Sequence, residues 1–193
     1  MKLKRHLILL GMLVTIGVFF AGLTIARADG DDDQGAPTST CDFNQNDQGE
    51  DNDDQGEDVQ GDEQGDDLDG TEADDQLDGN EGDDDIAGQE GNDDLCGDQG
   101  DDVLDGGQGD DVLDGGAGDD IENGQDGDDV VIGGSDDDDL TGGAGSDVVR
   151  GKAGSDTINV RRHGHDKVSC GRGHDVVKAS GRDHVASNCE VVK

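Results

Sequence analysis

The chain has 193 residues, of which 28% are apolar and 2% aromatic, with no Trp and no Tyr. That is too little to fill an ordinary globular core, and by composition alone it reads as disordered. Asp and Glu number 51 against 13 Lys and Arg, a formal net charge of -38, which excludes nucleic-acid binding by a basic footprint and opposes adsorption to anionic membranes.

The first 28 residues form a separate object. Lys2, Lys4 and Arg5 make a basic start, residues 7–26 are apolar, and Ala26-Arg27-Ala28 places small residues around a cleavage point. This predicts a secretory signal peptide over residues 1–28, with Asp29 the first residue of the mature chain and no stable membrane insertion after cleavage. The alternative is an uncleaved anchor, because the apolar run is long enough to span a bilayer. No Cys follows the apolar run directly, which argues against a lipoprotein. Either way the bulk of the chain is expected outside the cytoplasm, secreted and extracellular or held at the cell surface, where calcium is plentiful and disulfides persist.

Loss of residues 1–28 removes four basic residues and no acid, so the net charge moves from -38 to -42. Residues 29–149 contain no Lys or Arg. Nine bases lie from Arg150 onward, beside only five acids (Asp156, Asp166, Asp175, Asp183 and Glu190), which leaves 46 of the 51 acids in the stretch without bases. Self-repulsion should keep that stretch expanded until a cation binds. Residues 29–60 are acidic, rich in Gly and Gln and weakly patterned, and hold Pro37 and Cys41. They read as an acidic disordered lead-in, with Val59 an imperfect first repeat.

From residue 61 to residue 159 a nine-residue period holds. Gly106-Gly-Gln-Gly-Asp-Asp-Val-Leu-Asp114, Gly115-Gly-Ala-Gly-Asp-Asp-Ile-Glu-Asn123 and Gly142-Gly-Ala-Gly-Ser-Asp-Val-Val-Arg150 fit G-G-x-G-x-D-x-U-x, where U is a large apolar residue. U falls on Leu68, Leu77, Ile86, Leu95, Leu104, Leu113, Glu122, Val131, Leu140, Val149 and Ile158, and an Asp stands two positions before each, from Asp66 to Asp156. Compositional bias would scatter these residues rather than lock them at a fixed offset. Glycines allow tight turns, and x-U-x forms a short strand with its central side chain inward. The fold class is therefore all-β, a parallel β-roll solenoid. Two repeats make one coil, so residues eighteen apart stack: Leu68, Ile86, Leu104, Glu122, Leu140 and Ile158 in one ladder, and Leu77, Leu95, Leu113, Val131 and Val149 in the other. This predicts about five and a half coils, roughly 26 Å long at a strand spacing of ~4.8 Å. Glu122 breaks the rule, because an ionised carboxylate is costly between Leu104 and Leu140. Either the ladder has a soft spot there or the strand slips to bury Ile121, and slippage is the expectation.

Calcium takes six to eight oxygens from carboxylates and carbonyls, whereas magnesium demands a tighter octahedron and keeps its waters. The turn offers bare glycine carbonyls and one Asp. A calcium ion can sit between aspartates eighteen apart: Asp84 with Asp102, Asp93 with Asp111, Asp102 with Asp120, Asp111 with Asp129, Asp120 with Asp138, and Asp129 with Asp147, with Asp156 continuing the row. Solvated turn-forming aspartates are the alternative, strongest before Gly79, where Gln64 and Ala73 replace a turn glycine. Over residues 61–159 the chain closely resembles the hemolysin-type, or RTX, calcium-binding repeat family. The resemblance implies that the first six residues of each repeat form the calcium-binding turn. It gives that role to the aspartates above and to turn glycines such as Gly106, Gly107, Gly109, Gly115, Gly116, Gly118, Gly142, Gly143 and Gly145. Gln125 and Asp136 depart from the glycine pattern.

The period breaks at Val160 and restarts one residue late at His163-Gly-His-Asp-Lys-Val168. Asp166 to Val177, followed by Asn188-Cys189-Glu190, resembles the terminal cap of secreted RTX-like proteins of Gram-positive bacteria. Residues 160–193 are accordingly read as a basic, Cys-containing cap, which a solenoid needs to close its last open ladder. Four Cys in an exported chain give two disulfides among three connectivities. Cys170 with Cys189 is the first choice and Cys41 with Cys96 follows by elimination, the alternative being an intermolecular bond through Cys41. His163, His165, His174 and His184 raise a zinc or nickel site, against the plainer reading of exposed turn positions.

Neither H-E-x-x-H nor G-x-S-x-G occurs, and the signal leads almost directly into repeats, so no protease, lipase or pore-forming domain is expected. The leading expectation is a secreted, non-enzymatic protein that folds on binding several calcium ions, with affinities of about 10⁻⁴ to 10⁻³ M. Two alternatives stand beside it. One is a calcium-rigidified surface, matrix or adhesion element with an unknown partner. The other is a disordered acidic calcium buffer.

Overall fold

A repeat with one large apolar side chain can bury it only against copies of itself, and the backbone must turn tightly enough to bring those copies into register. The computed structural model describes Gly56, residues 58–160 and residues 164–192. The stretch read as a signal peptide, most of the lead-in with Cys41, and His163 lie outside the described residues.

Among the described residues the only regular structure is sixteen short strands, β1 to β16, which alternate along the chain between two parallel sheets of eight. The first sheet takes the odd strands: β1 (Asp58–Gln60), β3 (Gln76–Asp78), β5 (Asp94–Gln99), β7 (Val112–Ala117), β9 (Val130–Ser135), β11 (Val148–Ala153), β13 (Lys167–Ser169) and β15 (His184–Val185). The second takes the even ones: β2 (Asp67–Asp69), β4 (Asp85–Glu90), β6 (Val103–Gln108), β8 (Ile121–Asp126), β10 (Asp139–Thr141), β12 (Thr157–Val160), β14 (Val176–Ala179) and β16 (Val191–Val192). The chain is an all-β parallel solenoid.

Its register is eighteen residues. Leu77 pairs with Leu95, Leu95 with Leu113, Leu113 with Val131 and Val131 with Val149. On the other sheet Leu68 pairs with Ile86, Ile86 with Leu104, and Leu140 with Ile158. These side chains are buried. Val59 opens the odd ladder opposite Leu77. Both ladders run on past residue 160. Val149 pairs with Val168 and Ile158 with Val177, a step of nineteen that follows from the one-residue late restart, and Val168 then pairs with Val185 after seventeen. The last coil is pinned by a disulfide between Cys170 and Cys189, whose Cα atoms are 5.1 Å apart. Cys96 is buried and also disulfide-bonded.

Strand β8 does not slip, contrary to the expectation from its sequence. Glu122 stays in the ladder between Leu104 and Leu140 and is fully buried, while Ile121 faces outward at 52% exposure. The turn decides the matter. Asp120 accepts a hydrogen bond from the Asp102 amide and donates its own amide to Asp138. A slip by one residue would exchange the faces of β8 and pull Asp120 out of both bonds. The apolar core falls into two clusters as a result, Leu68 to Leu113 on one side of Glu122 and Val131 to Val177 on the other.

This division between inner and outer positions can be tested. Leu113 is fully buried between Leu95 and Val131, whereas Val103 is 39% exposed on the outer face of its sheet. Leu113→Ala should cost about 2–5 kcal/mol and Val103→Ala within about 0.5 kcal/mol, by chemical denaturation in saturating calcium. Equal losses would contradict the assignment of faces.

Candidate metal centres

Two stacks of turns join the sheets. One stack carries the chain from odd to even strands and presents Asp66, Asp84, Asp102, Asp120, Asp138, Asp156 and Asp175. The other returns it from even to odd strands and presents Asp75, Asp93, Asp111, Asp129, Asp147, Asp166 and Asp183. Within a stack, each of these aspartates from Asp84 and Asp93 onward uses Oδ1 to accept a hydrogen bond from the backbone N–H of the equivalent Asp one coil earlier. The bond from Asp84 to Asp102 is 2.8 Å, from Asp93 to Asp111 2.9 Å, from Asp111 to Asp129 3.0 Å and from Asp138 to Asp156 3.2 Å. Aspartates eighteen apart are thus joined directly.

The second oxygen is left over. Oδ2 of Asp84, Asp93, Asp102, Asp111, Asp120, Asp129, Asp138, Asp147 and Asp156 is buried and has no hydrogen-bond partner. These are the nine aspartates put forward from the sequence, and Asp175 in the cap makes a tenth. A buried unpaired carboxylate oxygen is expensive, and only a proton or a cation can satisfy it where no donor stands.

The glycines shape the space around that oxygen. A Cβ on Gly106, Gly115 or Gly142 would lie 2.5, 2.5 or 2.6 Å from Oδ2 of Asp111, Asp120 or Asp147, so the first glycine of each turn keeps that space open. At Gly97 the same position is flanked by Asp102 Oδ2 at 2.3 Å and by the Gly115 carbonyl of the next coil at 2.5 Å. Gly109, Gly118 and Gly145 press on the coil before. A Cβ there would come 1.4, 1.8 or 1.7 Å from the carbonyl oxygens of Gly91, Gly100 and Gly127. Gly107, Gly116 and Gly143, at the second position, adopt left-handed backbone, and a Cβ there would also crowd the carbonyl oxygens of Gln89, Asp98 and Gln125 one coil earlier. Asn80, Gln89, Asp98, Gln125 and Lys152 take that conformation at the same position with φ between 70° and 80°, and Asp136 does so at the fourth, at about 1–2 kcal/mol each.

The donor set is therefore carboxylate and carbonyl oxygen. Among the described residues no three His, Cys, Asp or Glu side chains converge as a metal cluster, so a cation in a turn must complete its shell from the backbone. Such an oxygen-only set suits a hard cation and fits calcium. His165, His174 and His184 make no such cluster either. His174 instead faces Glu190, which raises its pKa.

The sequence reading missed a second ladder. Residues at the fifth position of the repeat donate their backbone N–H to the side chain one coil earlier, in the opposite direction to the inner row: Asp101 to Asp83, Asp110 to Asn92, Asp119 to Asp101 and Asp137 to Asp119. Ser146 and Ser155 end it as donors to Asp128 and Asp137. The signal was present, since Asp or Asn recurs there at the same period, but the position was read as variable.

The carboxyls hold their protons unusually well. Burial is the largest cause, opposed by the amide hydrogen bond and reinforced by neighbouring aspartates. It pushes Asp93, Asp102, Asp111, Asp147 and Asp156 up to about 6, Asp120 and Asp129 to about 7, and Asp138 to about 8. Glu122 is raised well above its usual value by burial first, then by Asp138, Asp120 and Asp114.

Fold and donor set together define a parallel β-solenoid whose stacked glycine turns are built to take hard cations. Residues 60–95, 96–122 and 123–158 match the family model described as RTX calcium-binding nonapeptide repeat (4 copies). The matched residues make up just over half of the chain, and the chain belongs to that family of calcium-binding repeat proteins. No curated protein matches it.

The raised pKa values fix a pH dependence. Without metal, the folded turns bind more protons than the unfolded chain, whose aspartates titrate near 3.8, so stability falls as pH rises from about 4 to about 8. Calcium must displace those protons. Above about pH 6 the unfolded aspartates are already ionised, so folding onto calcium releases no protons from the unfolded chain, and the calcium concentration at half-folding should stay level or rise as pH goes from 6 to 8, while in chelator acidification toward pH 4 should favour strand structure. Circular dichroism at several pH values measures both, and a calcium midpoint that falls steeply with rising pH would contradict the assignment.

Proposed function

We propose that this is a secreted, non-enzymatic calcium-binding β-roll that stays unfolded while calcium is scarce and folds where extracellular calcium is available. The observation that carries this reading is the set of ten buried Asp Oδ2 atoms without partners. In the absence of a cation those oxygens remain buried without a partner, a costly state. The 46 acids of residues 29–149 also repel one another with no base among them. Calcium relieves both costs. Asp84, Asp93, Asp102, Asp111, Asp120, Asp129, Asp138, Asp147 and Asp156, with glycine carbonyls of the same turns, would hold it. Its role is charge neutralisation and cross-linking of coils. Each Asp already ties its coil to the one before, so occupancy of one turn should favour the next and make folding cooperative. Export is supported by the basic, apolar and small-residue pattern of residues 1–28 and by the disulfide chemistry of Cys96, Cys170 and Cys189.

The deciding experiment is far-UV circular dichroism of residues 29–193, disulfides intact, titrated with calcium and separately with magnesium. A steep calcium-specific gain of β structure, with a midpoint around 10⁻⁴ to 10⁻³ M, is expected. No change, or the same change with magnesium, would leave an acidic polymer that binds cations without folding.

A further inference from the structure

Glu122 sits where every other repeat from residue 61 to residue 159 has Leu, Ile or Val, and it is more than a defect in the core. It is fully buried, and neither carboxyl oxygen meets the geometry of a hydrogen bond, although the Gly115 backbone N–H stands near enough to oppose part of the rise in its pKa. Its side chain reaches back to the turn that precedes its own strand. The position a Cβ would take on Gly115 lies 2.5 Å from Glu122 Oε1 and 2.5 Å from Asp120 Oδ2. The two unpartnered oxygens are thus no more than twice that distance apart, a span that two ligands at about 2.3–2.6 Å from one calcium ion can bridge.

Equivalent turns show what has changed. Beside Gly88, Gly97, Gly106 and Gly124 the Asp Oδ2 is joined by a backbone carbonyl from the first glycine of the next coil: Gly106, Gly115, Gly124 and Gly142 respectively. Beside Gly115 a second carboxylate oxygen, Glu122 Oε1, lies as near as Asp120 Oδ2, which no other described glycine of this position shows. We infer that Glu122 is a calcium ligand, adding a second buried side-chain carboxylate, beside Asp120, to the turn formed by residues 115–120. This assignment rests on the calcium-binding reading above and gives it a centre. The same ion would fill the gap between the two apolar clusters on either side of Glu122, so continuity of the core through this coil would depend on calcium.

Two variants of the full exported chain test this: Glu122→Gln, which keeps the shape and removes the charge, and Glu122→Leu, which restores the apolar ladder. Equilibrium dialysis against calcium counts the bound ions, and circular dichroism gives the midpoint for folding. Both variants keep Asp120 and its turn carbonyls, so both should bind as many ions as the parent at saturation but shift one ion's binding to higher free calcium, and Glu122→Leu should need at least as much calcium to fold despite its better core. A calcium-binding curve unchanged in both variants would overturn the assignment. So would a Glu122→Leu chain that folds at lower calcium than the parent, as expected if Glu122 merely interrupts the core. A parent chain that binds no calcium would overturn the underlying reading as well, which separates the two failures.

Discussion

The structure depends on how each inner aspartate divides its two oxygens. Oδ1 is committed to the backbone of the neighbouring coil, which locks the register. Oδ2 is left facing its own turn, buried and unmatched. The first oxygen makes the solenoid possible and the second makes it conditional. Because the commitment to the neighbour also buries the carboxyl, the hydrogen bond that aligns the coils creates the unmet demand. The two properties cannot be separated by changing the apolar ladder alone.

The same division explains the composition. Each coil buries at most two large apolar side chains in the ladders, with none from aromatic residues in the described solenoid. Apolar burial on that scale is small beside the conformational entropy of ordering eighteen residues. Backbone ladders and turn electrostatics must supply the remainder, so the turns carry a share of stability that a globular protein assigns to its core. Under the proposed calcium dependence, an acidic chain with scarce apolar residues would be disordered without the ion and regular with it.

Much of this was legible in the sequence because the repeat has two independent clocks, the Asp and the apolar residue, running at one period. Together they fixed the two ladders, the eighteen-residue step and the membership of each sheet, and the late restart after Val160 was visible as a shift of one. Glu122 was misread because hydrophobicity was allowed to outvote the turn. An acid in an apolar slot suggested that the strand would move, whereas Asp120, held by Asp102 and Asp138 on either side, leaves it nowhere to go. The outer row through Asp83, Asp101, Asp119 and Asp137 was hidden by treating the fifth position as free. The substitutions at Asn80, Gln89, Asp98 and Lys152 were passed over because tolerance of left-handed backbone by a non-glycine residue shows only in dihedral angles.

Alternation of strands between two sheets has a consequence for how such a gene can change length. Gain or loss of eighteen residues adds or removes a whole coil and leaves every downstream residue on its own sheet. Gain or loss of nine would move each downstream strand to the opposite sheet, exchanging the outer row that contains Cys96, Ile132 and Arg150 with the one that contains Ala87, Asp105 and Asn123. The first row includes a disulfide-bonded cysteine and buried residues, and the second is largely half-buried and polar. The repeat unit written in the sequence is nine residues, but the unit of length that the fold can inherit without penalty is eighteen.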